Sequence, residues 1–198
     1  NMLRLGRGKS ISDVHGAIYP EMLAGELIKA FSEKGNLIYD PFMGSGTTNL
    51  VAKALGYHSI GVEAHPFVHR ITQTKMNWNI AFIELEEAIS FIQIQLFKTK
   101  PPINLEEYLK LEFPELILKC FLPETLFELL IIRNAINKLN AQNDIKEFLR
   151  TALICVLRDV SIAATGWPYI APKKKKLPAY QNKVGQLIKI VFIKCMVK

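Results

Sequence analysis

A glycine-rich turn between an apolar segment and a helical pattern constrains the fold of this chain more than any other feature. The turn follows Leu37–Tyr39 and precedes Asn49–Leu55. Its sequence is Asp40-Pro41-Phe42-Met43-Gly44-Ser45-Gly46-Thr47-Thr48. A strand, a glycine turn and a helix in this order form the nucleotide-binding corner of an α/β fold with a parallel sheet.

The residues that open and follow this turn predict which ligand it binds. A carboxylate at Asp40 would repel a pyrophosphate, but it can pair with a cationic amino group. The glycines let the backbone pass close to a bound molecule. Tyr57–Val62 predicts a second strand, so Glu63 emerges at its carboxyl end, where an acidic side chain can accept hydrogen bonds from a ribose; alternatively, Glu63 caps the next helix. S-adenosylmethionine has the ammonium, carboxylate and nucleoside that suit this pattern.

Three stretches of the sequence resemble DNA amino-methyltransferases, the family that methylates the exocyclic nitrogen of adenine or cytosine. The turn at 40–47 is similar to that family's signature for the methionine part of S-adenosylmethionine. The stretch from His15 to Met22 resembles the motif that precedes the signature, and Ile60–Phe67 resembles the second-strand motif. The resemblance covers roughly residues 11–80. It implies a Rossmann-like α/β methyltransferase fold.

The resemblance also implies roles for individual residues. Glu63 would bind the ribose hydroxyls, and Phe67 would pack on the adenine ring, with core packing as its alternative. The residues expected near the methionine moiety are Tyr19, Pro20, Asp40, Pro41, Phe42, Gly44, Ser45, Gly46 and Thr47.

The catalytic tetrapeptide of that family is missing from this sequence. Transfer to an exocyclic amine uses a Ser, Asp or Asn followed by Pro-Pro and an aromatic residue, which stacks on a flipped base. Pro101-Pro102 is followed by Ile103, and the nearest approximation, Gly166-Trp167-Pro168-Tyr169, lacks the polar acceptor and the first proline. We therefore expect a partial fold that supplies the cofactor-binding half.

The order of the predicted elements supports a partial fold with a helical extension. Residues 1–80 form the expected S-adenosylmethionine-binding part, and residues 81–198 a mostly helical extension of the same domain. In the first part we predict helices over 20–32, 47–55 and 66–79, with strands over 36–40 and 57–63. In the second part we predict helices over 82–98, 105–111, 123–139 and 144–164, a loop over 165–179, and a helix over 184–197.

Charge, apolar runs and cysteine content indicate which partners and which cellular compartment to expect. The formal net charge is +7, and basic residues are concentrated near the N-terminus and at Lys173, Lys174, Lys175 and Lys176. This proline-flanked run predicts an exposed loop that is merely solvated, contacts the phosphates of double-stranded DNA or acts as a localisation signal. The sequence contains no run of 18 apolar residues, so no membrane span is expected. Three scattered cysteines fit a reducing cytoplasm.

Other ligand-binding patterns in the sequence are weak. Gly6–Ser10 resembles the end of a P-loop, but Leu3 stands where the first glycine is needed. His65 and His69 have no accompanying carboxylate in a zinc-enzyme pattern, so no metal site is expected. Trp78 is expected in the core, and Trp167 and Tyr169 either pack or stack on unpaired bases.

These observations predict S-adenosylmethionine-dependent methylation of a DNA base at adenine N6 or cytosine N4. The residue that polarises the amine is expected on a second chain or on a further C-terminal half. Two alternatives remain open: a non-catalytic cofactor-binding subunit of a split enzyme, and a methyltransferase that acts on RNA.

Overall fold

Residues 20–165 and 170–175 are described by a computed structural model, and they divide into two units between Trp78 and Asn79. The first unit contains three helices and two strands among its described residues. In chain order they are α1 (Glu21–Phe31), β1 (Leu37–Asp40), α2 (Thr47–Ala54), β2 (His58–Gly61) and α3 (Pro66–Met76).

The first unit is built on a parallel pair of strands. β1 pairs with β2 from Leu37 opposite His58 to Asp40 opposite Gly61. Parallel strands need a crossover connection, and α2 provides it. α2 contacts both strands, and α1 packs against α2. The glycine turn therefore lies where β1 ends and α2 begins, as the sequence predicted.

The second unit is mainly helical. Its helices in chain order are α4 (Phe82–Lys98), α5 (Leu105–Glu112), α6 (Glu115–Leu118), α7 (Pro123–Lys138) and α8 (Asn143–Val160). α7 is the central helix, and α4, α5 and α8 pack against it. The core of the second unit explains the sequence pattern of α8. Five apolar residues of this helix recur at intervals of three or four positions and are all buried: Ile145, Leu149, Ala152, Val156 and Val160.

The end of the second unit differs from the sequence prediction. α8 ends at Val160, and β3 (Ala163–Thr165) pairs antiparallel with β4 (Ile170–Lys175). The prediction of a loop over 165–179 was therefore wrong for the lysines at 173–175, whose backbone belongs to β4. A register irregularity between Ala163 and Ala164 places extra residues on β4. Such a bulge accommodates Pro172, which cannot donate a ladder hydrogen bond.

The remaining boundaries differ only slightly from the predictions. α3 ends at Met76, three residues before the predicted end, and the one-turn helix α6 was not predicted. The helix expected over 184–197 lies outside the described residues. The chain is thus a mixed, helix-rich α/β protein with a small parallel sheet. None of the described helices combines the length and apolarity needed to span a membrane.

Candidate cofactor-binding site

The glycine turn is tied to the carboxyl end of β2 by backbone hydrogen bonds. The N–H of Val62 donates to the carbonyl of Asp40 at 2.9 Å, and the N–H of Met43 donates to the carbonyl of Val62 at 2.9 Å. The ladder therefore continues past the last paired residues, Asp40 and Gly61. These bonds place the turn after β1 and the segment after β2 at one edge of the sheet.

Two carboxylates lie at these strand ends, Asp40 as the last residue of β1 and Glu63 two residues after β2, and the local backbone orients each of them. Oδ1 of Asp40 accepts a hydrogen bond from the N–H of Phe42 at 3.1 Å. Oε1 of Glu63 accepts one from the N–H of His65 at 2.7 Å. Among the described residues, no hydrogen bond to the second oxygen of either carboxylate is present. Each side chain is half-buried and has one oxygen available to a ligand.

The conformation of the turn depends on its glycines. Gly44 has a φ of 52° and Gly46 a φ of 80°, both in the left-handed region that side chains with a Cβ rarely adopt. Gly46 is buried, and a Cβ at this position would lie 2.3 Å from Cγ2 of Thr72. Its N–H donates to the carbonyl of Met43 at 2.9 Å, which closes the turn.

α3 contacts the turn through two polar side chains. The hydroxyl of Thr72 donates to the carbonyl of Gly44 at 3.0 Å. The ammonium group of Lys75 donates to the carbonyl of Ser45 at 2.7 Å. Sequence reasoning missed both residues, because neither bond follows from a local motif. The one signal that the sequence offered was the position of Thr72 on a predicted helix, and its burial follows only from the packing of that helix.

The layer beneath the turn is closely packed around Gly61. A Cβ on Gly61 would lie 2.2 Å from Sδ of Met43 and 2.8 Å from Oδ1 of Asn49. Asn49 is buried in α2, and its side-chain amide donates to Oγ of Ser59 at 3.1 Å. This hydrogen bond connects α2 to β2 directly below the turn. Only glycine fits at the end of β2 without displacing these side chains.

Aromatic side chains near the turn are exposed. Phe42 is 90% exposed. Phe67, in the first turn of α3, is half-exposed and makes an edge contact with His65 at 6.3 Å between ring centroids. Trp78 is also half-exposed, so its predicted core position was wrong; the Lys53 ammonium lies 4.6 Å above its ring.

The structure brings together most of the residues predicted to bind the cofactor. The turn and Glu63 share one sheet edge, Phe67 lies in the first turn of the helix that contacts the turn, and exposed Pro20 precedes α1. Tyr19 and Lys176 lie outside the described residues. The backbone of residues 173–175 lies in β4 of the other unit.

The available donors and acceptors define what the turn can bind. The carboxylates of Asp40 and Glu63 can accept hydrogen bonds from an ammonium group or from hydroxyls. Within the part of the chain described, the N–H groups of Gly44 and Ser45 donate no hydrogen bond, so they can bind an anionic group. No group of three or more His, Cys, Asp and Glu side chains suited to a metal occurs in residues 20–165 or 170–175.

Comparison with known proteins identifies the family of this part of the chain. Residues 3–74 match the N6/N4-type family model described as DNA methylase. Residues 3–74 belong to the N6/N4 DNA methylase family. The match includes the glycine turn, Glu63, Phe67 and Thr72, and it confirms the resemblance seen in the sequence. No solved structure matches the chain at a significant level.

Type II methyltransferases are among the proteins that this chain resembles in sequence. It is 30% identical over 161 residues to M.BsoBI of Geobacillus stearothermophilus, covering 77% of the chain and 30% of the relative. It is 34% identical over 90 residues to M2.DpnII of Streptococcus pneumoniae, covering 38% and 34%. It is 28% identical over 158 residues to M.MvaI of Kocuria varians, covering 73% and 33%. The chain spans about a third of the length of these relatives.

Proposed function

We propose that this chain supplies the S-adenosylmethionine-binding part of a DNA methyltransferase that acts on adenine N6 or cytosine N4. The observation that carries this proposal is the common edge of β1 and β2, where the Asp40 turn and Glu63 meet. Ligands of open α/β sheets bind outside the carboxyl ends of the strands. The family match to residues 3–74 and the type II methyltransferase relatives support the same reading.

The polar groups of the edge fit the polar groups of S-adenosylmethionine. In our proposal, the free oxygen of Asp40 accepts a hydrogen bond from the ammonium group of the methionine moiety. The N–H groups of Gly44 and Ser45 bind its carboxylate. Glu63 accepts hydrogen bonds from the ribose hydroxyls, and the exposed ring of Phe67 packs on the adenine. The exposed residues Pro20, Pro41 and Phe42 line the methionine end.

In methyl transfer, this chain orients the methyl group of S-adenosylmethionine toward its acceptor. When bound, S-adenosylmethionine supplies an electrophilic methyl group on its sulfonium sulfur. Holding the ligand at both its methionine and ribose ends fixes the direction of that methyl group, and such orientation contributes much of the rate of a bimolecular transfer. The sequence has no Pro-Pro-aromatic tetrapeptide to polarise an amine. We propose that the remainder of the methyltransferase, on this or another polypeptide, provides it and binds the flipped base.

A second candidate function follows from the same missing tetrapeptide. A chain that binds S-adenosylmethionine but has no group to polarise the amine could be a non-catalytic subunit of a split methyltransferase. Adding a polypeptide that carries the tetrapeptide separates the two functions. Methylation of DNA by the pair that Asp40→Asn weakens supports the first. Methylation that Asp40→Asn leaves unchanged, or saturable cofactor binding without any transfer, supports the second. Methylation of RNA but not of DNA would indicate a methyltransferase that acts on RNA.

Isothermal titration calorimetry with S-adenosylmethionine and S-adenosylhomocysteine tests the binding step. Asp40→Asn keeps the oxygen that accepts from Phe42 but removes the charge, and Glu63→Gln does the same beside His65. We expect each to raise the Kd about tenfold or more, because a charge-assisted hydrogen bond is lost. Glu33→Gln, in the exposed connection between α1 and β1, is the matched control. Equal affinities in all four proteins would refute the proposed site.

A further inference from the structure

We infer that Thr72 and Lys75 of α3 are positioning residues that orient the peptide groups of the glycine turn for the methionine carboxylate. This inference rests on the proposed function and extends it from the residues that touch the ligand to residues behind them. Both side chains act on backbone carbonyls of the turn, so neither needs to contact the cofactor.

The geometry of the peptide group between Gly44 and Ser45 determines where the N–H of Ser45 points. The carbonyl of Gly44 and the N–H of Ser45 belong to one planar trans peptide and point in opposite directions. The hydroxyl of Thr72 holds this carbonyl at 3.0 Å. The N–H of Ser45 is therefore directed away from α3. Among the described residues it has no acceptor, so it is left for a ligand.

Lys75 acts in the same way on the next peptide. Its ammonium group holds the carbonyl of Ser45 at 2.7 Å, which directs the N–H of Gly46 away from Lys75 and into its bond with the Met43 carbonyl. The turn is thus held by α3 through Thr72 and Lys75, and by Val62, the residue after β2, through both of its backbone groups. The N–H groups of Gly44 and Ser45 have no acceptor among the described residues, so they remain available to a ligand.

The hydrogen bond of Thr72 differs from that of its neighbour Thr74. A threonine inside a helix commonly bonds to the carbonyl four residues earlier. Thr74 does so, with its hydroxyl 3.0 Å from the carbonyl of Arg70. Thr72 instead bonds to Gly44, 28 residues away in sequence, and it is only 2% exposed. Thr74 therefore provides a matched control on the same helix for removal of a hydroxyl.

The test compares two probes in five proteins. S-adenosylhomocysteine contains both the adenosine and the amino acid ends, whereas methylthioadenosine lacks the amino acid end. Calorimetry is performed on the unmodified chain, Thr72→Val, Thr72→Ser, Thr74→Val and Lys75→Met. We expect Thr72→Val and Lys75→Met to raise the Kd for S-adenosylhomocysteine about tenfold, the usual effect of one lost hydrogen bond. Their Kd for methylthioadenosine stays unchanged, and Thr72→Ser and Thr74→Val match the unmodified chain for both probes.

The outcomes separate this inference from the proposed function. If the unmodified chain binds S-adenosylhomocysteine and Thr72→Val weakens both probes equally, Thr72 is merely structural and the inference is wrong, while the proposed function stands. If the unmodified chain binds neither probe, the binding proposal fails in the isolated chain. The amide resonances of Ser45 and Gly46 then decide the inference without ligand. A change in Thr72→Val that is absent in Thr72→Ser supports it, and unchanged resonances overturn it.

Discussion

At the residue scale, Gly46 is the position where backbone conformation and packing impose the same requirement. Its φ of 80° is costly for any residue with a Cβ, by about 1–2 kcal/mol. The added Cβ would also overlap Cγ2 of Thr72 at 2.3 Å. We therefore expect Gly46→Ala to displace Thr72, weaken S-adenosylhomocysteine binding by more than tenfold and lower the melting temperature. Calorimetry and thermal unfolding monitored by circular dichroism measure the two effects.

Gly25→Ala is the matched control for that substitution. Gly25 lies inside α1, and a Cβ there would contact Cγ1 of Val51 at an ordinary 3.6 Å. Replacing a helical glycine by alanine stabilises a helix by roughly 0.5–1 kcal/mol. The control should therefore unfold at an equal or higher temperature and bind as the unmodified chain does. If Gly46→Ala behaves like Gly25→Ala, the turn is not constrained as the structure indicates.

The residues of the site that sequence could predict are those whose role follows from local order. Asp40, the two turn glycines and Glu63 follow strands, and the position at a strand end does not depend on distant packing. Thr72 and Asn49 could not be predicted this way. Their hydrogen bonds join segments 28 and 10 residues apart, and they exist only because α2, α3 and β2 pack around the same turn.

At the element scale, periodic apolar patterns predicted the long helices well, and short or atypical elements were missed. α4 was predicted with its observed bounds, Phe82–Lys98. α6 has only one turn, too short for a pattern to repeat. β4 contains Pro172 and a lysine run, which are uncommon in strands, and it forms through pairing with β3 across a bulge. That pairing is a tertiary effect that local propensity does not contain.

The lysine run allows a prediction for DNA binding by the whole run. Each phosphate contact that a lysine makes releases counterions and steepens the salt dependence of binding by about 0.9 in log–log slope. Replacing Lys173, Lys174, Lys175 and Lys176 by glutamine should weaken DNA binding and flatten this slope by up to about 3–4. Fluorescence anisotropy with a labelled duplex at several salt concentrations measures both quantities.

A second set of four lysines in the same unit provides the control for charge alone. Lys98, Lys100, Lys110 and Lys138 are all exposed, and replacing them removes the same number of charges. If the two quadruple variants lose the same slope, the effect comes from net charge and the run at 173–176 has no specific role.

At the scale of the whole molecule, the described residues of the first unit leave one face of the parallel sheet exposed. Parallel sheets are normally buried on both faces, and α2 contacts β1 and β2. Yet Leu37, Tyr39, Ile60 and Val62 are 56%, 61%, 50% and 48% exposed, and their alternation along the strands puts them on one face. The relatives are about three times as long as the matched region. We propose that the rest of the methyltransferase covers this face.

This uncovered face predicts the behaviour of the isolated chain. Its apolar side chains should cause concentration-dependent association, because contiguous exposed apolar surface promotes contacts between molecules. Replacing Leu37 and Ile60 by threonine keeps strand-forming side chains while reducing apolar area, so the double variant should sediment closer to the monomer without a loss of melting temperature. Sedimentation velocity at several concentrations measures this. The matched control replaces Leu111 and Leu116, exposed on the second unit. If both double variants reduce association equally, or if the first unfolds at a much lower temperature, this face does not drive the association and the proposed cover is not supported.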